Sequence, residues 1–363
     1  MKKIKILFLC KYFPPVPGGI ELASKKIVEF SHSKFDIKIL AFKKRKQNCI
    51  TQESLNLCSS FELFRQPLSL SYFFKSIRNS HRADIIYIHY PNILCVFITK
   101  LVKLMRPEIK IIVHYHADFV TKSFWLDRFY SNVTKSLLKL SNGIIVTSKN
   151  YITGSKHLTE FIDKIKVIQL STSEIKAKAP FAHVKNKSII FIGRLVSYKG
   201  ILEFSNYIDM IDYDATINIV GTGPLSSVLA SRISLLKSKN RVRLLGHVDN
   251  AELSKLLRKA DLLILPSITR AEAFGLVMLE AQSLGVPSVC FNIPGSGVSE
   301  VNRHKITGYV AKMNDYEQYI YYINKILLEK PFEKKELISY HKMYYSDIVI
   351  KEKWIKYINN ISL

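Results

Sequence analysis

Acid is what this sequence is short of. Its 363 residues carry 29 Asp and Glu against 54 Lys and Arg, a formal net charge of +25. Most of the excess lies before Lys185, so the N-terminal half is expected to face something anionic: lipid headgroups, a lipid-linked phosphate or nucleic acid. Cysteine is also sparse. Cys10, Cys49, Cys58, Cys95 and Cys290 are odd in number, scattered and without metal-ligand spacing. That pattern excludes a disulfide framework and points to a reducing cytosol. No run reaches the ~18 uncharged apolar residues of a membrane span; the best, residues 93–105, is broken by Lys100 and Lys103. Met1-Lys-Lys leads straight into an apolar run too short for a secretory signal and lacking a cleavage site.

What is present is an alternation. Short apolar runs at 3–9, 35–42, 84–89, 108–114, 142–147 and 164–170 are separated by helical patterns, and residues 61–64 suit a further short strand. Residues 171–187 are polar, contain Pro180 and lack a period, which marks a linker. The alternation then restarts with runs at 188–192, 215–220, 242–245, 262–265, 287–291 and 309–311, and helices near 316–329 and 347–361 close the chain. Strand–helix alternation in two blocks implies α/β architecture: two doubly wound parallel sheets, covered on both faces. The expected domains are residues 1–182 and 183–344, with the helix at about 345–363 packing back on the first. Ligands of such sheets bind outside the C-terminal ends of the strands.

Glycines concentrate where that rule puts the ligand. In the second block Gly193, Gly221 with Gly223, Gly246 before His247, and Gly295 with Gly297 each follow a strand. Arg194 and Lys199 stand in the first of these loops, where two cations can neutralise a diphosphate and ease its departure. A fifth strand leads to Glu272-Ala-Phe-Gly-Leu-Val-Met-Leu-Glu280. There Phe274, Gly275 and Leu276 turn into a helix whose first amides are ready for an anion. Glu272 and Glu280 flank that turn, and a carboxylate can accept both hydroxyls of a sugar diol. The first block has its own glycine turn, Gly18-Gly19, after a proline-rich loop.

Taken together, Gly18-Gly-Ile-Glu21, His116 with Asp118, Gly193-Arg-Leu-Val-Ser-Tyr-Lys-Gly200, Gly221-Thr-Gly-Pro-Leu225, Gly246-His247 and Glu272 through Glu280 resemble a retaining glycosyltransferase of the family-4 type over nearly the whole chain. The resemblance implies the GT-B fold, two Rossmann-like domains facing a cleft. It implies that Arg194 and Lys199 hold the donor diphosphate, Glu280 the ribose, and Glu272 with the backbone of Phe274, Gly275 and Leu276 the transferred hexose. Gly193, Gly223 and His247 belong to the same donor set, Gly18 and Gly19 reach the phosphates, and His116 touches the donor sugar. His114 competes with His116 for that part; its bland alternative is a satisfied core histidine. The implied chemistry is front-side displacement with retention, without cofactor or metal.

The stretch Val113-His-Tyr-His-Ala-Asp118 with Asn292-Ile-Pro-Gly-Ser-Gly-Val298 is similar to bacterial O-antigen mannosyltransferases. That similarity implies GDP-mannose as donor, an undecaprenyl-diphosphate-linked glycan as acceptor, and a peripheral position on the inner face of the cytoplasmic membrane. A helix over residues 119–140 adds Phe124, Trp125, Phe129 and Val133 beside Lys122, Arg128, Lys135 and Lys139. It suits either packing on its own sheet or an anionic membrane surface. Asp212-Tyr-Asp214 spells a metal motif of other glycosyltransferases but precedes a strand and is read as a turn. The alternatives are a UDP-hexose donor, an epimerase or phosphorylase of the same fold, and a basic membrane- or nucleic-acid-binding module. No nucleic-acid motif accompanies the charge.

Overall fold

The computed structural model describes residues 3–16, 18–43, 54–63, 66–119, 123–172, 187–238 and 241–362. The basic run Lys43-Lys-Arg-Lys46 beyond its first residue, Cys49, Phe64, Lys122 and most of the expected linker lie outside the described residues. The chain divides into two compact units, Met1–Leu170 with Ile350–Leu363, and Ser171–Val349.

The first unit contains strands β1 (Lys5–Leu9), β2 (Asp36–Phe42), β3 (Leu55–Cys58), β4 (Phe61–Leu63), β5 (Gln66–Leu68), β6 (Ile85–Tyr90), β7 (Lys110–Tyr115), β8 (Gly143–Val146) and β9 (Ile165–Val167). Seven of them form one parallel sheet in the order β3-β2-β1-β6-β7-β8-β9, and β4 and β5 pair separately as an antiparallel hairpin. Helices α1 (Gly19–Ser31), α2 (Leu70–Ser80), α3 (Leu94–Met105), α4 (Phe124–Leu140) and α5 (Lys149–Gly154) connect the strands. Every residue of β6 and β8 is buried, as strands covered on both faces must be. Leu9 is partnered on one side by Leu40 and on the other by Ile88. The chain direction across the sheet therefore reverses between β1 and β6. Ile350, Trp354 and Ile358 share one core with Phe8, Ile39 and Tyr87.

The second unit contains β10 (Lys187–Ile192), β11 (Ala215–Val220), β12 (Val242–Gly246), β13 (Leu262–Leu265), β14 (Ser288–Phe291) and β15 (Gly308–Ala311). Their order is β12-β11-β10-β13-β14-β15, all parallel, with the reversal between β10 and β13. Helices α6 (Ile201–Phe204), α7 (Ser226–Ser234), α8 (Asn250–Lys259), α9 (Leu276–Ser283), α10 (Val298–Val301), α11 (Tyr316–Glu329) and α12 (Lys334–Tyr345) lie in this unit; α13 (Asp347–Ser362) ends the described chain. The central strands β13 and β14 are wholly buried, whereas β12 at the sheet edge is partly open.

The structure corrects the sequence reading at three places. Leu55–Cys58 is a strand at the sheet edge where none was expected. Lys334–Tyr345 is a third closing helix, and it packs on α9. The helix expected from residue 119 begins only at Phe124, and Ser123 just before it is extended. Phe119 stacks on Tyr130, and Asp118 takes hydrogen bonds from Tyr115 Oη, from Ser155 Oγ at 2.7 Å and, at its amide, reaches Tyr151 Oη at 3.1 Å.

Candidate active site

In parallel sheets every strand ends on the same edge, so the loops after β10, β11, β12, β13 and β14 collect on one rim of the second unit. Three of them are tied together by backbone. Ile268 N donates to Tyr198 O at 2.9 Å, and Gly297 N donates to Ala273 O at 2.9 Å. Ser296 Oγ donates to Glu272 O. Gly200 adopts φ +66°, and a Cβ there would stand 2.0 Å from Pro266 O, so only glycine lets these loops meet.

Lys199 and Glu272 meet across the β10–β13 reversal. Lys199 Nζ donates to Glu272 Oε2, and both side chains are mostly buried, at 12% and 11% exposure. Ser267 Oγ, at the end of β13, donates to the same Oε2 at 3.0 Å. Oε1 makes no hydrogen bond among the described residues. An ammonium has three donors, so one bond to Glu272 leaves two for an incoming anion. Gly193 makes room for this lysine: a Cβ on it would lie 3.3 Å from Lys199 Cε.

Gly275 is the residue before α9 and sits in the left-handed region at φ +79°; a Cβ there would meet Met278 Cε at 2.6 Å. Leu276 opens the helix, and the Phe274 ring is buried edge-on to Tyr345. Phe274 can thus offer a ligand its backbone, with its ring committed to the core. Glu280 lies in the second turn of α9, partly buried, and burial lifts its carboxyl from 4.5 to about 7. Arg194 and His247 are exposed on the rim. Gly223 packs against the neighbouring loop; a Cβ on it would lie 2.3 Å from Leu195 O. Asp212 and Asp214 stand before β11, at the opposite edge of the sheet, and Asp212 Oδ2 accepts from Asn324 Nδ2 at 2.7 Å.

In the first unit Gly18 and Gly19 begin α1 at the C-terminal edge of that sheet, and a Cβ on Gly18 would lie 2.0 Å from Glu21 Oε2. His116 follows β7 on the same edge. It is buried, its ring stacks on His114 at 4.0 Å, and its Nε2 lies 3.0 Å from His89 Nδ1. Burial pushes its imidazole down to about 3, so it is neutral at physiological pH. His114 is a core histidine in contact with Tyr87 Oη at 3.0 Å. Ser267 and His89 do not stand out in the sequence: a serine in a loop and one histidine in an apolar strand carry no signal of their own.

Two parallel α/β sheets of this order, with the loops of one rim gathered around a lysine–carboxylate pair, define the GT-B class. Anabaena HepE, solved in complex with UDP, superposes with a TM-score of 0.79 at 17% identity, covering 98% of this chain and 100% of that one. Residues 172–343 match the family described as glycosyl transferases group 1, and this part of the chain is a glycosyltransferase group 1 domain. D-rhamnosyltransferase WbpZ of Pseudomonas aeruginosa is 29% identical over 69% of this chain and 66% of its own length, just under two thirds. O-antigen chain mannosyltransferase C of Escherichia coli is 28% identical over 73% of this chain and 71% of its own.

Proposed function

We propose that this protein is a retaining, metal-independent hexosyltransferase that moves mannose from GDP-mannose to an undecaprenyl-diphosphate-linked glycan in O-antigen or related surface-polysaccharide synthesis. The observation that carries the reading is the buried Lys199–Glu272 pair at the strand reversal of a glycosyltransferase group 1 domain. Lys199 and Arg194 take the diphosphate. As the glycosidic bond breaks, negative charge grows on the leaving phosphate, and cations already in place stabilise it more than they stabilise the ground state. Glu272 orients Lys199 through Oε2 and offers Oε1 to a hexose hydroxyl. The backbone of Phe274, Gly275 and Leu276 and the side chain of Glu280 hold the hexose and ribose. Gly193, Gly223 and His247 line the same rim. His116, Gly18 and Gly19 are given donor contacts by the same resemblance. The leaving phosphate then removes the acceptor proton on the face it departs from, so configuration is retained.

The mannose assignment draws on the name of the E. coli relative and on the Gly-Ser-Gly-Val loop. A UDP-hexose donor is the second reading, favoured by the UDP complex of HepE. Calorimetric titration with GDP-mannose, UDP-glucose, UDP-galactose and UDP-N-acetylglucosamine separates them: binding confined to GDP-mannose is expected, and binding confined to a UDP-sugar would replace the donor and keep the rim. Transfer is expected to run at full rate in EDTA, since Asp212 and Asp214 sit at the wrong edge of the sheet. Loss of activity in EDTA, restored by Mg²⁺ or Mn²⁺, would overturn this.

The acceptor reading is supported by the surface of the first unit. Its side facing the sheet in α4 is Tyr130, Thr134, Leu137 and Leu138, which leaves Phe124 and Trp125 71% and 78% exposed. Leu70 and Phe74 of α2 and Leu104 of α3 are also exposed, and the three helices are consecutive neighbours. Lys75, Arg78, Lys100 and Arg128 are exposed on the same helices. Bases among exposed aromatics suit an anionic bilayer surface. Among the described residues no helix is long and apolar enough to cross a membrane.

A further inference from the structure

Three histidines of the first unit come together on one face of its sheet. His114 and His116 are two apart at the end of β7 and therefore share a face, and His89 is the direct partner of His114 on β6. All three are buried, at 1%, 2% and 5% exposure for His89, His114 and His116. One ring nitrogen from each lies within 4.8 Å of the others. His89 Nε2 and His114 Nε2 have no hydrogen-bond partner in the described structure. A buried ring nitrogen left unpaired is costly, and a ligand held by His114 Nε2 would relieve one of the two.

We propose that His89, His114 and His116 form a binding site for a d-block cation of the Zn²⁺ class. Three imidazoles with a fourth position open to water are an established zinc donor set, with metal–nitrogen bonds of about 2.0–2.1 Å. The edge of such a tetrahedron is about 3.3 Å, and His89 Nδ1 and His116 Nε2 already stand 3.0 Å apart. Imidazole-only ligation excludes Ca²⁺ and Mg²⁺, which want oxygen. The outer contact that orients a ligating histidine is also there. With its Nδ1–H turned to Tyr87 Oη, His114 presents a bare Nε2, and Tyr87 Oη is itself fixed by Trp354 Nε1, 3.2 Å away.

The test uses the full chain stripped with EDTA, incubated with Zn²⁺ or Co²⁺ and dialysed. About one retained ion per chain is expected, with the visible d–d bands of tetrahedral Co²⁺. His89→Gln and His116→Gln should each abolish retention. Tyr87→Phe should weaken it about 10–100-fold by freeing the His114 ring. No retained ion in the wild-type chain, or equal retention in both histidine variants, as an adventitious ion would give, overturns the site. If His89→Gln does not fold, His116→Gln and Tyr87→Phe decide. A second readout rests on the transferase reading: because His116 is there a donor contact, Zn²⁺ should slow transfer and EDTA restore it. Metal retention without transfer would sink that reading and leave the site standing.

Discussion

Glu272→Gln is expected to lower transfer by about 10²–10³-fold while leaving the fold intact and donor binding undiminished. Gln keeps the shape of the side chain and one acceptor for Lys199 or Ser267. It removes the only charge that the described structure sets against the buried Lys199 ammonium. The diphosphate of the donor is the next available countercharge, so the variant should bind the nucleotide sugar at least as tightly as the wild type. What it loses is the placement of Lys199 and of the hexose in the transition state, and that loss appears in kcat. Glu272→Ala is the harsher change. Stripping one partner from a buried ion pair costs about 3–5 kcal/mol, and Lys199→Ala should cost about the same. The double variant should cost less than the two single changes added, because neither charge is then left alone. Transfer rates, calorimetric affinity and thermal unfolding of these four variants and the wild type check this together. Wild-type turnover in Glu272→Gln would remove Glu272 from the reaction.

The two sheets were legible because parallel strands buried on both faces read as bare apolar runs, and because each glycine loop punctuates a strand end. The rim was legible for the same reason: loops that follow parallel strands must share an edge. What pairs across that rim was not. Lys199 and Glu272 lie far apart in sequence, and only the adjacency of β10 and β13 brings them into contact. Ser296 bonds the Glu272 carbonyl, so the Gly-Ser-Gly-Val loop also braces the carboxylate loop, a contact no spacing in the sequence announces. Asp118, quoted beside His116, likewise proves to be an anchor for Tyr115 and Ser155. Leu55–Cys58 escaped notice because it is short and mostly half-buried at an edge, and Lys334–Tyr345 because its buried positions are Leu337, His341 and Tyr345, which spell no aliphatic stripe. The three histidines needed the register of β6 against β7 before they could be seen as a group.

Glu280 should make both stability and donor affinity depend on pH near neutrality. Burial raises its carboxyl from 4.5 to about 7 in the folded chain. The folded state therefore holds a proton that the unfolded state has released, and stability must fall as pH rises between those two values. The full loss is at most about 3 kcal/mol, at about 1.4 kcal/mol for each pH unit of the window. Glu280→Gln removes the penalty, so the variant should unfold at a higher temperature than the wild type at pH 8 and draw level near pH 4.5. Donor binding runs the other way. A ribose diol donates to the ionised carboxylate, which favours the charged form, so binding expels the proton. Wild-type affinity for an intact nucleotide sugar, whose diphosphate does not titrate in this range, should rise toward tenfold per pH unit below 7 and level off above it. Calorimetry in two buffers of different ionisation enthalpy should count the proton released at pH 6.5. Glu280→Gln should bind more weakly above pH 7 and show neither the rise nor the proton. A variant with the wild-type pH profile would take Glu280 out of the ribose site, and the rim would then hold the nucleotide through Arg194, Lys199 and the start of α9 alone.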